Sequence, residues 1–256
     1  MSAAGFVRIT ADYDVMRVTL TRPPLNILTI DMMHEINAAL AAAAARPALK
    51  VLVLAAEGKA FCAGVAVEDH VGERVKPMLE VFHEIFRRLH ALPCLTLAAV
   101  QGAAIGGGAE LATFCDVVVA ADHATIGQPE IKLGVFPPVA ALHYPRRIGV
   151  PRTLALLLSG DTLGAAEAQR IGLVDHVVPA ATLEEVVQAR LARVRGHSAA
   201  VLRLTRRAVL DGEGRDFMEA LPAVEDLYMY ELMTTEDAGE GLRAFMDKRR
   251  PVWKDR

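Results

Sequence analysis

Three short runs almost without polar side chains, residues 51–55, 95–100 and 117–121, constrain this chain most strongly. Each is too short for a helix that buries a whole face and too apolar for a strand with one side in water. They read as strands covered on both faces, the pattern of an interior parallel sheet. Between the first two lies the segment 71–92, where Met78, Val81, Phe82, Ile85, Phe86 and Leu89 recur at helical spacing among Glu80, Glu84, Arg87 and Arg88. That spacing predicts an amphipathic helix, with His83 and His90 on its surface. Residues 29–46 are also helical by composition, with Asp31 and Glu35 early and Pro47 beyond the end. Residues 6–9 and 15–20 read as a hairpin whose polar turn is 11–14. Strand and helix alternate through Asp122, which predicts an α/β domain of repeating units. From Gly160 onward the chain turns helical, over 165–171, 183–194, 198–210, 217–234 and a last helix 236–250 carrying Lys248, Arg249 and Arg250. The division this suggests is a core over 1–195 and a helical region over 196–256.

A chain of 256 residues can bury a substantial core. Its net charge of −3, with no basic stripe, argues against nucleic acid as a partner. Cys62, Cys94 and Cys115 stand far apart in apolar surroundings, as reduced thiols of a cytoplasmic protein do, and none has metal-ligand spacing. Residues 1–10 lack a basic stretch followed by an apolar one, so no signal peptide is expected. The stretch 95–121 is apolar enough to raise the membrane question. Gln101, Gly102, Gly106, Gly107, Gly108 and Glu110 inside it speak against a spanning helix.

The same stretch carries the chemistry. Glu110 and Glu130 sit among glycine, alanine and branched aliphatics, an odd place for charge. Gly106 to Gly108 follow a buried strand and open a helix, a junction that leaves backbone N–H groups pointing at whatever lies in front. Glu110 follows Gly107 by three residues, so its carboxylate lies about one turn above the Gly107 amide on the same side. A donor and a base would then share one face. The bland alternative is that the glycines merely allow close packing and that Glu110 is a solvated first-turn residue. The apolar neighbours Leu111, Ala112 and Phe114 weigh against it. A second glycine-containing loop, 57–65, leaves the strand 51–55 and could present further amides.

Taken together, residues 59–65 (Lys-Ala-Phe-Cys-Ala-Gly-Val), 101–110 (ending Gly-Gly-Gly-Ala-Glu), 127–130 (Gly-Gln-Pro-Glu), 160–173 and 240–249 resemble, in order, the motifs of the crotonase superfamily of enoyl-CoA hydratases and isomerases. The resemblance covers nearly the whole chain. It implies a spiral of ββα turns followed by a helical region that packs trimers, commonly doubled to hexamers. It implies an acyl-CoA substrate and no separate cofactor or metal, coenzyme A arriving as part of the substrate. The thioester oxygen would lie between the backbone N–H groups of Val65 and Gly107, and a fixed amide aimed at such an oxyanion is worth about 3 to 4 kcal/mol. Members with glutamates matching both Glu110 and Glu130 are hydratases, whereas many others keep one or neither. The roles implied are Glu110 taking a proton from water and Glu130 giving one to the α-carbon. An ordinary glutamate is protonated only about 0.2% of the time at pH 7, so such a donor needs burial to raise it. For coenzyme A the resemblance points to Ala63 and Lys248, while Glu68 stands where many hydratases have a lysine, which leaves Arg74, Lys76 or another subunit for the phosphates. Phe136, Pro137 and Pro138 replace a glycine-rich segment on the acyl side. They are similar to the branch acting on cyclic dienoyl thioesters such as cyclohexa-1,5-diene-1-carbonyl-CoA. A short-chain enoyl-CoA hydratase, a double-bond isomerase with the same oxyanion hole, and a non-catalytic relative that binds RNA or CoA are the alternatives.

Overall fold

The computed structural model describes residues 5–256. Residues 1–4, the start of the segment read for a leader and of the expected core, lie outside it. Chain order is β1 (Val7–Ala11), β2 (Val15–Leu20), α1 (Ile30–Ala44), β3 (Val51–Ala56), β4 (Ala60–Cys62), α2 (Val75–Ala91), β5 (Leu95–Val100), β6 (Ala103–Ile105), α3 (Gly107–Thr113), β7 (Val117–Ala121) and β8 (Thr125–Gly127). Then come α4 (Pro138–Ile148), α5 (Val150–Ser159), β9 (Thr162–Gly164), α6 (Ala165–Ile171), β10 (His176–Val178) and α7 (Leu183–Arg195). The chain ends with α8 (Ala199–Gly212), α9 (Phe217–Asp226) and α10 (Glu236–Met246).

From β3 to β8, consecutive strands alternate between two sheets. β1-β2-β3-β5-β7-β10 form one sheet, antiparallel only at the β1–β2 hairpin, and β4-β6-β8-β9 form a second. Each turn of the chain thus lays one strand in each sheet before its helix, the ββα spiral that the resemblance implied. The apolar runs are explained by period-two alternation. Leu52 and Leu54 of β3 face the main core, while Val51, Val53 and Ala55 face a smaller core closed by Leu183, Val187 and Leu191 of α7. Thr29 caps α1 by accepting the Met32 N–H.

The structure departs from the sequence reading in four places. α2 starts at Val75 rather than 71, because Gly72, at φ +62°, turns the chain first. His83 is half-buried rather than on the surface, and burial together with Arg87 lowers its pKa. The segment 217–234 is α9 followed by a wider π turn at Leu227–Leu232. The last helix stops at Met246: Lys248 takes a left-handed conformation at φ +55°, and the Lys248 and Arg249 N–H groups close the end on the Phe245 and Ala244 carbonyls. Arg249 and Arg250 therefore lie beyond the helix. Beyond them the tail folds back, where Asp237 accepts the N–H groups of Lys254 and Asp255, and Asp255 accepts from the Ala199 N–H and pairs with buried Lys50.

Candidate active site

β6 hands the chain to α3 through Gly106, which caps the helix at φ +56°. Glu110, in the first turn, is 2% exposed. Its Oε1 accepts the backbone N–H of Ala140 at 2.7 Å, a donor supplied by the first turn of α4 thirty residues later. Glu130 opens a short 3-10 turn after β8 and is half-buried. Its carboxylate lies over Gly106, where a Cβ would come within 2.6 Å of Oε1. No side chain larger than hydrogen fits there without moving Glu130.

Val65 and Gly107 are brought together as expected. Leu28 and Val65 form an isolated parallel bridge, in which the Leu28 N–H goes to Gly64 and the Ala66 N–H to Leu28. In that pattern the central residue's own N–H points away from the bridge. Among the described residues neither the Val65 nor the Gly107 N–H meets an acceptor, the latter because it is the first of its helix. The Val65 side chain packs over Gly107 beside the edge of Phe82, leaving no room for a Cβ.

Burial pushes Glu110 up to about 8, partly offset by the Ala140 N–H and reinforced by the charge of Glu130. Burial also pushes Glu130 up to about 7. The expectation was a raised donor; the structure raises both carboxyls, and Glu110 more. Raised this far by burial, each carboxyl can carry a proton near neutral pH.

Behind Glu130 stand two residues whose part the sequence did not disclose. Gln128 and Tyr144 are fully buried. With its nitrogen turned toward Glu130, the Gln128 amide donates to both carboxylate oxygens at 3.1 Å and accepts from the Tyr144 hydroxyl at 2.8 Å, the orientation that satisfies a charged Glu130. Turned the other way, its nitrogen donates to the Tyr144 hydroxyl at 2.8 Å.

The remaining expected residues are more scattered. Phe136 is 68% exposed, Pro137 is buried, and Pro138 begins α4. Ala63 is half-buried, its N–H bonded to the Leu25 carbonyl. Lys248 is exposed and, among the described residues, makes no ion pair. Arg74 is held by two bonds to Oδ1 of buried Asp69, whereas Lys76 is largely exposed. Cys62 and Cys94 are pushed up to about 12 by burial, and Cys115 is raised likewise. Among the described residues no cluster of His, Cys, Asp and Glu could hold a metal ion, and no helix is long and apolar enough to cross a membrane.

A buried and a half-buried carboxyl beside a glycine turn that carries a free amide, with a second free amide on Val65 packed against it, define a site that can polarise a carbonyl and move a proton beside it. The family model of enoyl-CoA hydratase/isomerase matches residues 10–256, and the chain belongs to that family. It is 36% identical over 252 residues to a cyclohexa-1,5-dienecarbonyl-CoA hydratase of Thauera aromatica, covering 98% of this chain and 96% of that one. It is 36% identical to a probable enoyl-CoA hydratase of Mycobacterium tuberculosis, covering 98% of each. Among solved structures, an enoyl-CoA hydratase from Bacillus anthracis superposes with a TM-score of 0.92 at 29% identity, over 98% of this chain and all of that one.

Proposed function

We propose that the protein adds water across the α,β double bond of an acyl-CoA thioester. The observation that carries this reading is the convergence of two burial-raised carboxyls, Glu110 and Glu130, on the glycine turn that also presents the Gly107 amide. The thioester oxygen accepts from the Val65 and Gly107 N–H groups, so that the charge arriving there meets donors already fixed. A water held between the carboxyls attacks the β-carbon and yields its proton to Glu110. Glu130 gives its proton to the α-carbon as the enolate collapses. Glu110 ends protonated and Glu130 charged, and transfer of that proton back restores the pair. One shared proton serves both roles: with it on Glu130, Glu110 loses a repulsive neighbour and keeps the Ala140 N–H.

For the acyl group we propose a cyclic dienoyl thioester, cyclohexa-1,5-diene-1-carbonyl-CoA. The name of the Thauera relative and the stiff Phe136, Pro137 and Pro138 segment leading into α4 support it. Ala63 and Lys248 are proposed to contact the nucleotide end of coenzyme A, and no resident cofactor is invoked. The region 196–256 is proposed to pack subunits into a trimer or a dimer of trimers. Its exposed Phe217, Met218, Tyr228, Tyr230, Phe245 and Met246 favour that. The three buried thiols fit a cytoplasmic protein. Side-by-side assays with crotonyl-CoA and the cyclic dienoyl thioester, read by mass spectrometry, test the function. Gain of one water on the cyclic diene supports both parts, and gain on crotonyl-CoA alone overturns the ring assignment. A shifted double bond with no gain in mass would make the protein an isomerase.

A further inference from the structure

Acidity at Glu130 depends on what receives the charge it is left with, and the residues behind it decide that. Among the described residues, its carboxylate is faced by the Gln128 amide and its own backbone N–H as neutral donors, and by Glu110 of α3 and Tyr144 of α4 among ionisable groups. Lys132, on the same turn, runs along Gly160 instead.

A primary amide has two faces of opposite polarity. With nitrogen toward Glu130, Gln128 stabilises the carboxylate; with oxygen toward it, Gln128 stabilises the protonated acid by accepting its O–H. Among the described residues, the other end of that amide meets the Tyr144 hydroxyl, at 2.8 Å. The Thr113 hydroxyl, 3.4 Å from the Tyr144 oxygen, lies closer to the Ala109 carbonyl at 2.7 Å, which takes its hydrogen. Of the two acceptors open to the phenol proton, the Gln128 carbonyl at 2.8 Å is nearer than the Thr113 oxygen at 3.4 Å.

Resting on the hydratase reading above, we propose that Tyr144 is a positioning residue for proton release from Glu130. Its hydroxyl donates to the Gln128 carbonyl and so holds the amide nitrogen against both carboxylate oxygens. Negative charge developing on Glu130 as its proton moves to the α-carbon then meets donors already in place. A substrate feels none of this when it binds; the effect falls on the step that moves the proton.

Tyr144→Phe keeps the ring that fills the core and removes only the hydroxyl. Expected are a fall in kcat of about tenfold with KM changed less than about twofold, because the lost interaction acts in the transition state. NMR titration of isotope-labelled glutamate carboxyls, with Glu130→Gln to assign the resonance, should show Glu130 titrating at higher pH in Tyr144→Phe than in the wild type. Gln128→Ala should reproduce both effects, and the double variant should add nothing, since the two residues act as one path. An unmoved Glu130 titration, or additive losses in kcat, would overturn the proposal; so would a fall in kcat with the titration unchanged, which is what looser packing alone would give. A wild-type protein that hydrates neither thioester would count against the hydratase reading, while the titration would still decide the role of Tyr144.

Discussion

A carboxyl buried as deeply as Glu110 opposes folding whenever it is ionised. Its folded-state value, about 8, stands above the ordinary 4.5, so between those limits the native state binds a proton that the unfolded chain has released. Its contribution to stability is therefore present at low pH and is lost as pH rises from about 4.5 to about 8. Glu110→Gln should recover on the order of a few kcal/mol above pH 8 and nothing near pH 4. Denaturant titrations of both proteins at the two pH values would show it, and an equal gap at both would refute it. Gly106→Ala should reach Glu130 without touching it chemically. A Cβ 2.6 Å from the carboxylate oxygen, at a φ of +56°, must push Glu130 aside, so kcat should drop sharply with little change in KM. Steady-state kinetics of that variant decide the matter. The carboxyls and the two amides were legible in the sequence because all four lie in contiguous motifs. Ala140, Gln128 and Tyr144 were not, because their roles exist only once α4 has folded over α3.

Among the elements, β3, β5 and β7 of the six-stranded sheet announced themselves, since burial on both faces leaves only one kind of sequence. α4 did not. It carries proline at 138 and 145, and its buried Val139, Ala140, Tyr144 and Ile148 are interrupted by those prolines and by His143, Arg146 and Arg147, which masks the helical period. The end of α10 was misplaced for a related reason: Lys248 occupies the left-handed position where glycine would have signalled a stop. The returning tail left no pattern either, being held by polar bonds between distant residues. Asp237→Ala would leave the Lys254 and Asp255 N–H groups without their acceptor, at a cost of about 1 to 3 kcal/mol. A lowered melting temperature with faster proteolysis of residues 251–256 is the expected outcome, and unchanged melting would contradict it.

At the scale of the molecule, the spiral puts Val65, Gly107, Glu110 and Glu130 on the three ββα turns and their loops, and leaves α8 to α10 with apolar side chains in the open. Analytical ultracentrifugation should return three or six times the 27.6 kDa of one chain, and Phe217→Asp together with Tyr230→Asp should shift it toward the monomer. A monomeric wild type would contradict that assignment. Hydration by this site requires Glu110 and Glu130 to act together on one water. The measurement that tests this most directly is turnover of the enoyl thioester in heavy-oxygen water by the wild type, Glu110→Gln and Glu130→Gln, each confirmed to be folded. Heavy oxygen in the wild-type product and a loss of about a hundredfold or more in each variant, the usual weight of a positioned acid or base, are expected. Undiminished incorporation in either variant, or a wild-type product free of the label, would contradict it.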